Sequence, residues 1–206
     1  MRITMLNTTS DFRDLRFEKI ESLKPRERVL KTAIALFNKH GVHTIGIDRI
    51  IAESGVSKRS FYNYFPSKSD LIAAYLDFWD AFRFDNLEKH ISIAKGGAKG
   101  EILAVFDSLE DWITQSDFNG CNFTRGLNEF SDEDTRPLRE KVDAHFKKST
   151  DFITARLADL VKPGKTKTLL PQLLSLILGA MVVAHITGDT KIAQLNKKIA
   201  RTLLEE

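Results

Sequence analysis

Helical spacing of apolar residues is the feature that most constrains the fold of this chain. From Pro25 onward, apolar side chains recur every three or four positions, as in Val29, Ala33, Ile34 and Phe37. No stretch alternates apolar and polar residues as a half-buried strand would, and no repeat or low-complexity tract interrupts the pattern. The sequence therefore predicts an all-α protein.

Glycine and proline divide the first part of the chain into short helices. Pro25 should open a helix, because its fixed φ suits the first turn, and Gly41 should end it. A second helix should end at Gly55, and its start is marked either by Thr44 as a cap or by Asp48 in the first turn. These two breaks predict a compact helical pair.

Two serines mark the next two helix starts. Ser57 should cap a third helix that Pro66 ends, and Ser67 should cap a long fourth helix. Breaks are then expected at residues 95–100 (KGGAKG), 119–120, 163–164 and 188–189. The helices between them are predicted at about residues 101–114, 121–130, 135–160, 167–186 and 191–204.

Three regions follow from this pattern. Residues 1–24 are an N-terminal arm, either a loose helix that includes Phe12 or a mobile segment. Residues 25–70 form a three-helix module with helix-turn-helix proportions. Residues 71–206 form a larger helical domain, and the long fourth helix links the two.

Positive charge is concentrated in the small module. The chain has a net charge of +3, and nine Lys or Arg residues lie between Lys24 and Asp70 against four Asp or Glu. A basic module on a near-neutral body is typical of phosphate binding, although a solvated basic face would look the same. The third helix adds polar and aromatic side chains that suit a DNA groove, but any short amphipathic helix shares its spacing.

Residues 55–68 (GVSKRSFYNYFPSK) make the interpretation specific. This run resembles the signature of the tetracycline-repressor (TetR/AcrR) family, typically G-V-S-K-G-T-L-Y-x-H/Y-F-x-S-K. The spacings from Ala33 through Phe37 to Gly41 and from Thr44 to Ile51 also match the family. A second, shorter match from Gly120 to Glu129 resembles a common subgroup of it.

The resemblance implies a role for each residue of the predicted DNA-binding surface. Ser57 begins the recognition helix. Contacts to the DNA backbone would come from Thr44, Tyr62, Tyr64 and Lys68, and contacts near base edges from Lys58, Arg59, Ser60 and Asn63. Arg59 replaces the small residue usual in the family, so the base preference of relatives cannot be transferred to this chain.

The resemblance also implies a homodimer that binds a pseudo-palindromic duplex operator and releases it when a small-molecule effector binds. Leu169 to Ile186 is apolar nearly all round, which predicts a helix buried on more than one side, in a dimer interface or a monomeric core. The tentative interface residues are Leu173, Ile177, Met181 and His185. The tentative effector pocket consists of Phe106, Trp112, Asn122, Phe123, Arg125, Glu129 and His145, although most of its aromatic residues would serve equally as core.

Other classes of protein are disfavoured. No catalytic motif is present, and His40 and His43 have no third metal ligand nearby, so no enzyme activity, metal or cofactor is expected. The single cysteine, Cys121, is interpreted as a small buried side chain rather than a redox sensor. Without a signal peptide or a clean membrane span, the protein is expected in the cytoplasm. A family member that activates transcription or acts through protein partners remains the alternative.

Overall fold

A computed structural model describes residues 14–205 of the protein, and the predicted all-α fold is confirmed over that range. The described residues contain no strand and form nine α-helices and two short 3-10 turns. The helices are α1 Pro25–His40, α2 Ile47–Ser54, α3 Lys58–Tyr64, α4 Lys68–Ile93, α5 Gly97–Ile113, α6 Asn122–Glu129, α7 Arg136–Leu160, α8 Pro163–Thr187 and α9 Ile192–Leu203. Below, residues 25–70 are called the head and residues 71–205 the body.

The predicted ends of the head helices agree with the structure. Helix α1 begins at Pro25 and ends at Gly41, which has a φ of +80°. The Ser57 hydroxyl accepts a hydrogen bond from the Ser60 amide at 3.1 Å, so Ser57 caps α3 as predicted. Ser67 and Asp70 form a reciprocal capping box at the start of α4. The local sequence therefore specifies where these helices begin and end.

Thr44 does not cap α2, although it was considered as that cap. Its hydroxyl donates to the carbonyl oxygens of His40 at 2.6 Å and Gly41 at 3.2 Å, so it satisfies the end of α1 instead. Gly46 occupies the cap position of α2, and Asp48 lies in the first turn as the alternative predicted. A threonine hydroxyl can close either end of a helix, and the sequence alone did not distinguish them.

Two predicted breaks are helix starts instead. The glycine-rich segment interrupts the helical structure only until Gly96, and Gly97 and Gly100 belong to α5. A Cβ on Gly100 would lie 2.1 Å from the carbonyl oxygen of Lys95, so only glycine permits this tight entry into the helix. Likewise, Pro163 opens α8 because a proline fits the first helical turn.

The head and the body are joined by α4. Helices α1, α2 and α3 pack around the fully buried rings of Phe37 and Phe61, and α1 also packs against α4. Further along, α4 packs against α5 and α7, and α5 in turn contacts α8 and α9. A single helix therefore has its start in the head and its end in the body.

Residues 14–23 pack against the body rather than extending as a mobile arm. Leu15 and Leu23 are buried. The guanidinium of Arg16 lies 4.2 Å from the centroid of Phe82 and donates to Asp117 at 3.1 Å. The rest of the predicted arm, including Phe12, lies outside the described residues.

Helix α8 is less buried than predicted. It is the one described helix whose length and composition would allow a membrane span, yet only 28% of its most apolar window is buried in the single chain. Its inner side packs against α7, α5 and α9. No helix within residues 14–205 covers its other side, so the alternative of a central helix in a monomeric core is wrong, and burial in a dimer interface stays a prediction.

Candidate functional site

Helix α3 presents a polar, aromatic surface on the outside of the head. Phe61 and Phe65 point inward and are at most 2% exposed, which fixes the orientation of the helix. The opposite side carries the exposed residues predicted to meet DNA. These are Ser57, Lys58, Arg59, Tyr62, Asn63 and Tyr64, with Ser60 partly buried among them.

The basic residues of α3 differ in their partners. The ammonium of Lys58 lies 3.5 Å from the carboxylate of Asp48 across the turn, but both side chains are largely exposed. Such a pair is weak in water and opens at little cost. Arg59 forms no ion pair or hydrogen bond within residues 14–205. Its guanidinium is therefore free to meet a phosphate or a base edge.

Thr44 and Lys68 flank this surface. Thr44 is exposed, and its hydroxyl proton is already donated to α1, so a phosphate contact would use its backbone amide or a rearranged hydroxyl. Lys68 is the first residue of α4, where free amides and the helix dipole favour an anion. Burial lowers the pKa of Lys68 from its ordinary value, which places the ammonium near low-dielectric surroundings. Together these side chains form a cationic, hydrogen-bonding patch suited to a phosphate backbone.

The body contains a cavity of about 150 Å³ with mainly apolar walls. Three of the predicted pocket residues, Trp112, Phe123 and His145, line it. The His145 ring stacks on Phe123 at a centroid distance of 3.6 Å, and its Nδ1 lies 2.7 Å from a carboxylate oxygen of Asp80. Burial lowers the pKa of His145 in spite of that hydrogen bond.

Four predicted pocket residues do not line this cavity. Phe106 is fully buried in the core of the body, and Asn122 is buried. The Arg125 side chain turns toward the head. Glu129 lies beside the loop after α1, with its carbonyl oxygen 3.1 Å from Nε2 of His43. Helix α6 is only eight residues long, so only the side chains at its start reach the cavity.

Several residues that line the cavity were not predicted from the sequence, above all Arg83 and Cys121. Arg83 lies between Phe82 and Phe84 on α4, a signal that could have identified it. Cys121 is partly exposed rather than buried, so the prediction of a small buried side chain is wrong. Its sulfur accepts a hydrogen bond from the Thr124 amide at 3.5 Å and so caps α6.

The exposed apolar surface of the body is shifted by one position from the predicted interface. Leu173 and Met181 are buried, Ile177 packs inward against the core, and only His185 is exposed. The side chains left open are between 37% and 74% exposed. They form the apolar outer face, defined as Leu178, Val182, Val183, Ile186, Leu195 and Ile199. Because the whole helix is apolar, its composition did not show which side faces its own core.

A set of hydrogen bonds connects the start of α6 to the end of α1. One nitrogen of the Arg125 guanidinium donates to the carbonyl oxygens of Phe37 and Asn38 at 3.3 Å each, and another donates to Asn119 at 2.9 Å. The Asn119 amide donates in turn to the Asn38 carbonyl oxygen at 2.6 Å. These contacts satisfy the Asn38 carbonyl group at the end of α1 and add a second bond at Phe37, whose carbonyl oxygen already accepts the Gly41 amide. The head is therefore attached to the same segment that walls the cavity.

Known proteins resemble this chain in sequence and in fold. Residues 29–75 match the family model for bacterial regulatory proteins of the tetR family. An uncharacterized helix-turn-helix-type transcriptional regulator of Mycobacterium tuberculosis is 27% identical over 88% of this chain and 95% of its own length.

Solved structures agree over most of the chain. A TetR-family transcriptional regulator from Streptomyces coelicolor is 31% identical, covers 88% of this chain and 94% of its own, and superposes with a TM-score of 0.79. A second such regulator, from Streptomyces avermitilis, is 28% identical over 89% of this chain and 97% of its own, with a TM-score of 0.72. This chain therefore belongs to the TetR family of helix-turn-helix transcriptional regulators.

Proposed function

We propose that the protein is a cytoplasmic repressor that binds a pseudo-palindromic operator as a homodimer and releases it when a small molecule occupies the body cavity. The observation that carries this proposal is the exposed polar surface of α3. The buried Phe61 and Phe65 fix the orientation of this helix, and its exposed side chains form no strong contacts within the described residues. Selection of operator sequences from random duplex DNA by the full chain tests it. Two related half-sites in inverted orientation are expected, and a site without two-fold symmetry would contradict the dimer.

The two exposed tyrosines and Lys68 are proposed to hold the DNA backbone. Tyr62 is 41% exposed and Tyr64 43%, so their rings are partly packed while their hydroxyl groups stay available. Lys68 lies four residues beyond Tyr64, at the amide-rich start of α4. Contacts of this kind set the register on the duplex and carry no sequence information.

Lys68→Ala should weaken binding to the operator and to unrelated duplex DNA by the same factor. One phosphate contact is lost, so the slope of log affinity against log salt should fall by about one. The measurement is fluorescence anisotropy over a salt series. Lys147→Ala removes an exposed lysine from the body and should change neither quantity. An unchanged salt slope for Lys68→Ala would remove Lys68 from the interface.

Arg59 is proposed to read a base. An exposed guanidinium in the first turn of the recognition helix can donate two hydrogen bonds to a guanine in the major groove. The family usually carries a small side chain here, so this contact would be peculiar to the present chain.

Arg59→Ala should relax the preference at one position in each half-site, at a cost of about 1–3 kcal/mol for the preferred base. Repeating the random-DNA selection with the variant measures this directly. Arg49→Ala is the matched control, because Arg49 is exposed on α2 and pairs with Glu53 at 2.7 Å. An operator preference that is identical before and after the Arg59 substitution would contradict base reading.

The apolar outer face supports the dimer. It spans the end of α8 and the exposed side of α9, and within the described part of the chain nothing covers it. Two copies that pack these helices together would bury it in a four-helix arrangement. A two-fold dimer of this family type places two recognition helices about 34 Å apart, one helical turn of DNA.

For a ligand to release the DNA, the cavity must be structurally connected to the head. The start of α6 supplies Cys121 and Phe123 to the cavity wall, and Arg125 on the next turn holds the end of α1. A ligand that favours one position of α6 therefore biases the position of the head. In a transcription assay the protein should lower output from the operator promoter, and higher output would favour an activator instead.

A further inference from the structure

Arg83 is an unusual side chain for the wall of an apolar cavity. It lies on α4, and its guanidinium stands 4.2 Å from the centroid of Trp112. Burial lowers the pKa of Arg83 to about 10, which shows that the charge is poorly solvated. A cation in such surroundings is costly unless an anion or several hydrogen bonds accompany it.

Among the described residues, the protein supplies the cation–π contact with Trp112 but no anion. Within residues 14–205 no carboxylate forms an ion pair with Arg83, and one long hydrogen bond of 3.4 Å reaches the Ser108 carbonyl oxygen. A guanidinium has five N–H donors, so most of them are left for another partner. Asp80 is the carboxylate that approaches the cavity wall, and it is occupied by His145 and Lys148.

A second polar group in the cavity wall lacks a hydrogen-bond partner. The Ser108 hydroxyl is buried, lines the cavity and has no hydrogen-bond partner among the described residues. A buried hydroxyl without a partner is rare, because it forfeits the hydrogen bonds it makes in water. The Arg83 guanidinium donates to the backbone carbonyl of Ser108, so the two residues are neighbours in the cavity wall.

The remaining walls favour one flat ring. Phe84, Trp112 and the stacked pair of Phe123 and His145 contribute aromatic faces and edges. The volume of about 150 Å³ is sufficient for a single aromatic ring with a small substituent. The shape of the cavity and the charge of Arg83 therefore both favour a small aromatic anion.

We propose that the cavity binds a monocyclic aromatic carboxylate, with its carboxylate on Arg83 and Ser108 and its ring among the aromatic side chains. This inference rests on the proposed function, because it names the chemical class of the effector. Guanidinium and carboxylate form paired, charge-assisted hydrogen bonds, which are the strongest that these side chains can make. A neutral ring of the same size would leave the cation without an anion.

The test compares benzoate with benzamide, its neutral counterpart of nearly equal shape. Calorimetric titration of the full chain, without DNA, should show benzoate binding at least about tenfold tighter than benzamide. Naphthoate, which adds a second ring, should bind more weakly than benzoate. Equal affinity for benzoate and benzamide, or no benzoate binding at millimolar concentration, would overturn the proposal.

Variants of Arg83 test whether its charge causes the preference for benzoate over benzamide. Arg83→Met should abolish the preference for benzoate, and Arg83→Lys should keep part of it, which separates the charge from packing. Arg156→Met is the matched control, because Arg156 also stacks on an aromatic ring but is paired with Glu101 at 2.8 Å and does not line the cavity. Thermal melting verifies that each variant is folded. A preference that persists in Arg83→Met would also overturn the proposal.

Failure of this inference is distinguishable from failure of the proposed function. If the protein binds a two-fold operator but shows no preference for benzoate, the ligand class is wrong and DNA-binding regulation stands. If benzoate binds through Arg83 but leaves operator affinity unchanged, the ligand class stands and release by this ligand is wrong.

Discussion

Val182→Glu is expected to leave the protein folded but monomeric, and to lower operator affinity by about a thousandfold, or about 4 kcal/mol. Val182 belongs to the apolar outer face and is 48% exposed. In a two-fold interface the same residue occurs twice, so the substitution brings two unpaired carboxylates into an apolar contact. Burying an unpaired charge costs several kcal/mol, which exceeds what the neighbouring apolar contacts return.

Sedimentation velocity at micromolar concentration measures the mass, and anisotropy with the selected operator measures affinity. Ala155→Glu is the matched control. It adds the same charge to an exposed position on α7, away from the apolar outer face, and should leave both dimer and affinity intact. A Val182→Glu protein that remains a dimer would show that the chains associate through another surface.

Phe61→Ala is expected to unfold the head while the body remains folded, and so to abolish DNA binding without changing the oligomeric state. Phe61 is fully buried, and its ring meets Phe65 at 6.1 Å and Tyr62 at 5.3 Å between centroids. Truncating a buried phenylalanine to alanine costs about 3–5 kcal/mol. A head of this size buries too small a core to tolerate such a loss.

Circular dichroism during urea titration should show an early partial loss of helix in Phe61→Ala that precedes the main transition. Phe17→Ala is the control, since Phe17 is 75% exposed and its truncation should change stability by less than about 0.5 kcal/mol. A variant that keeps wild-type operator affinity would indicate that the head is stabilised mainly by its contacts with the body.

The head could be predicted closely from the sequence because its signals are local. Pro25, Gly41, Gly55, Ser57 and Ser67 each act through the geometry of their own turn, and each marks a helix end or cap in the structure. The amphipathic pattern of α3 then determines which side chains stay outside. Thr44 was the exception, because the same hydroxyl can serve the helix before it or the helix after it.

The body was harder to predict because its signals depend on distant partners. From Leu169 to Ile186, α8 is apolar nearly all round and carries no mark of its inner side, so three of the four residues predicted for an interface lie on the side that faces the core of the single chain. The pocket was predicted from aromatic and polar residues of α5, α6 and α7, but the cavity is also lined by Arg83 on α4 and Ser108 on α5. Side chains so far apart in sequence meet only through tertiary packing, which periodicity does not encode.

The length of α4 has a mechanical consequence. Its 26 residues extend for about 39 Å, with Lys68 at the head end and Arg83 near the cavity. Treated as a rigid rod that pivots at its far end, it would move Lys68 by about 3 Å for a tilt of about 5°. That displacement is as long as a hydrogen bond, and a two-fold partner would move in the opposite sense. Arg83 lies about 15 Å from that pivot and would move by only about 1 Å, so a small change around a bound ring would be amplified into a mismatch with the repeat of the DNA helix.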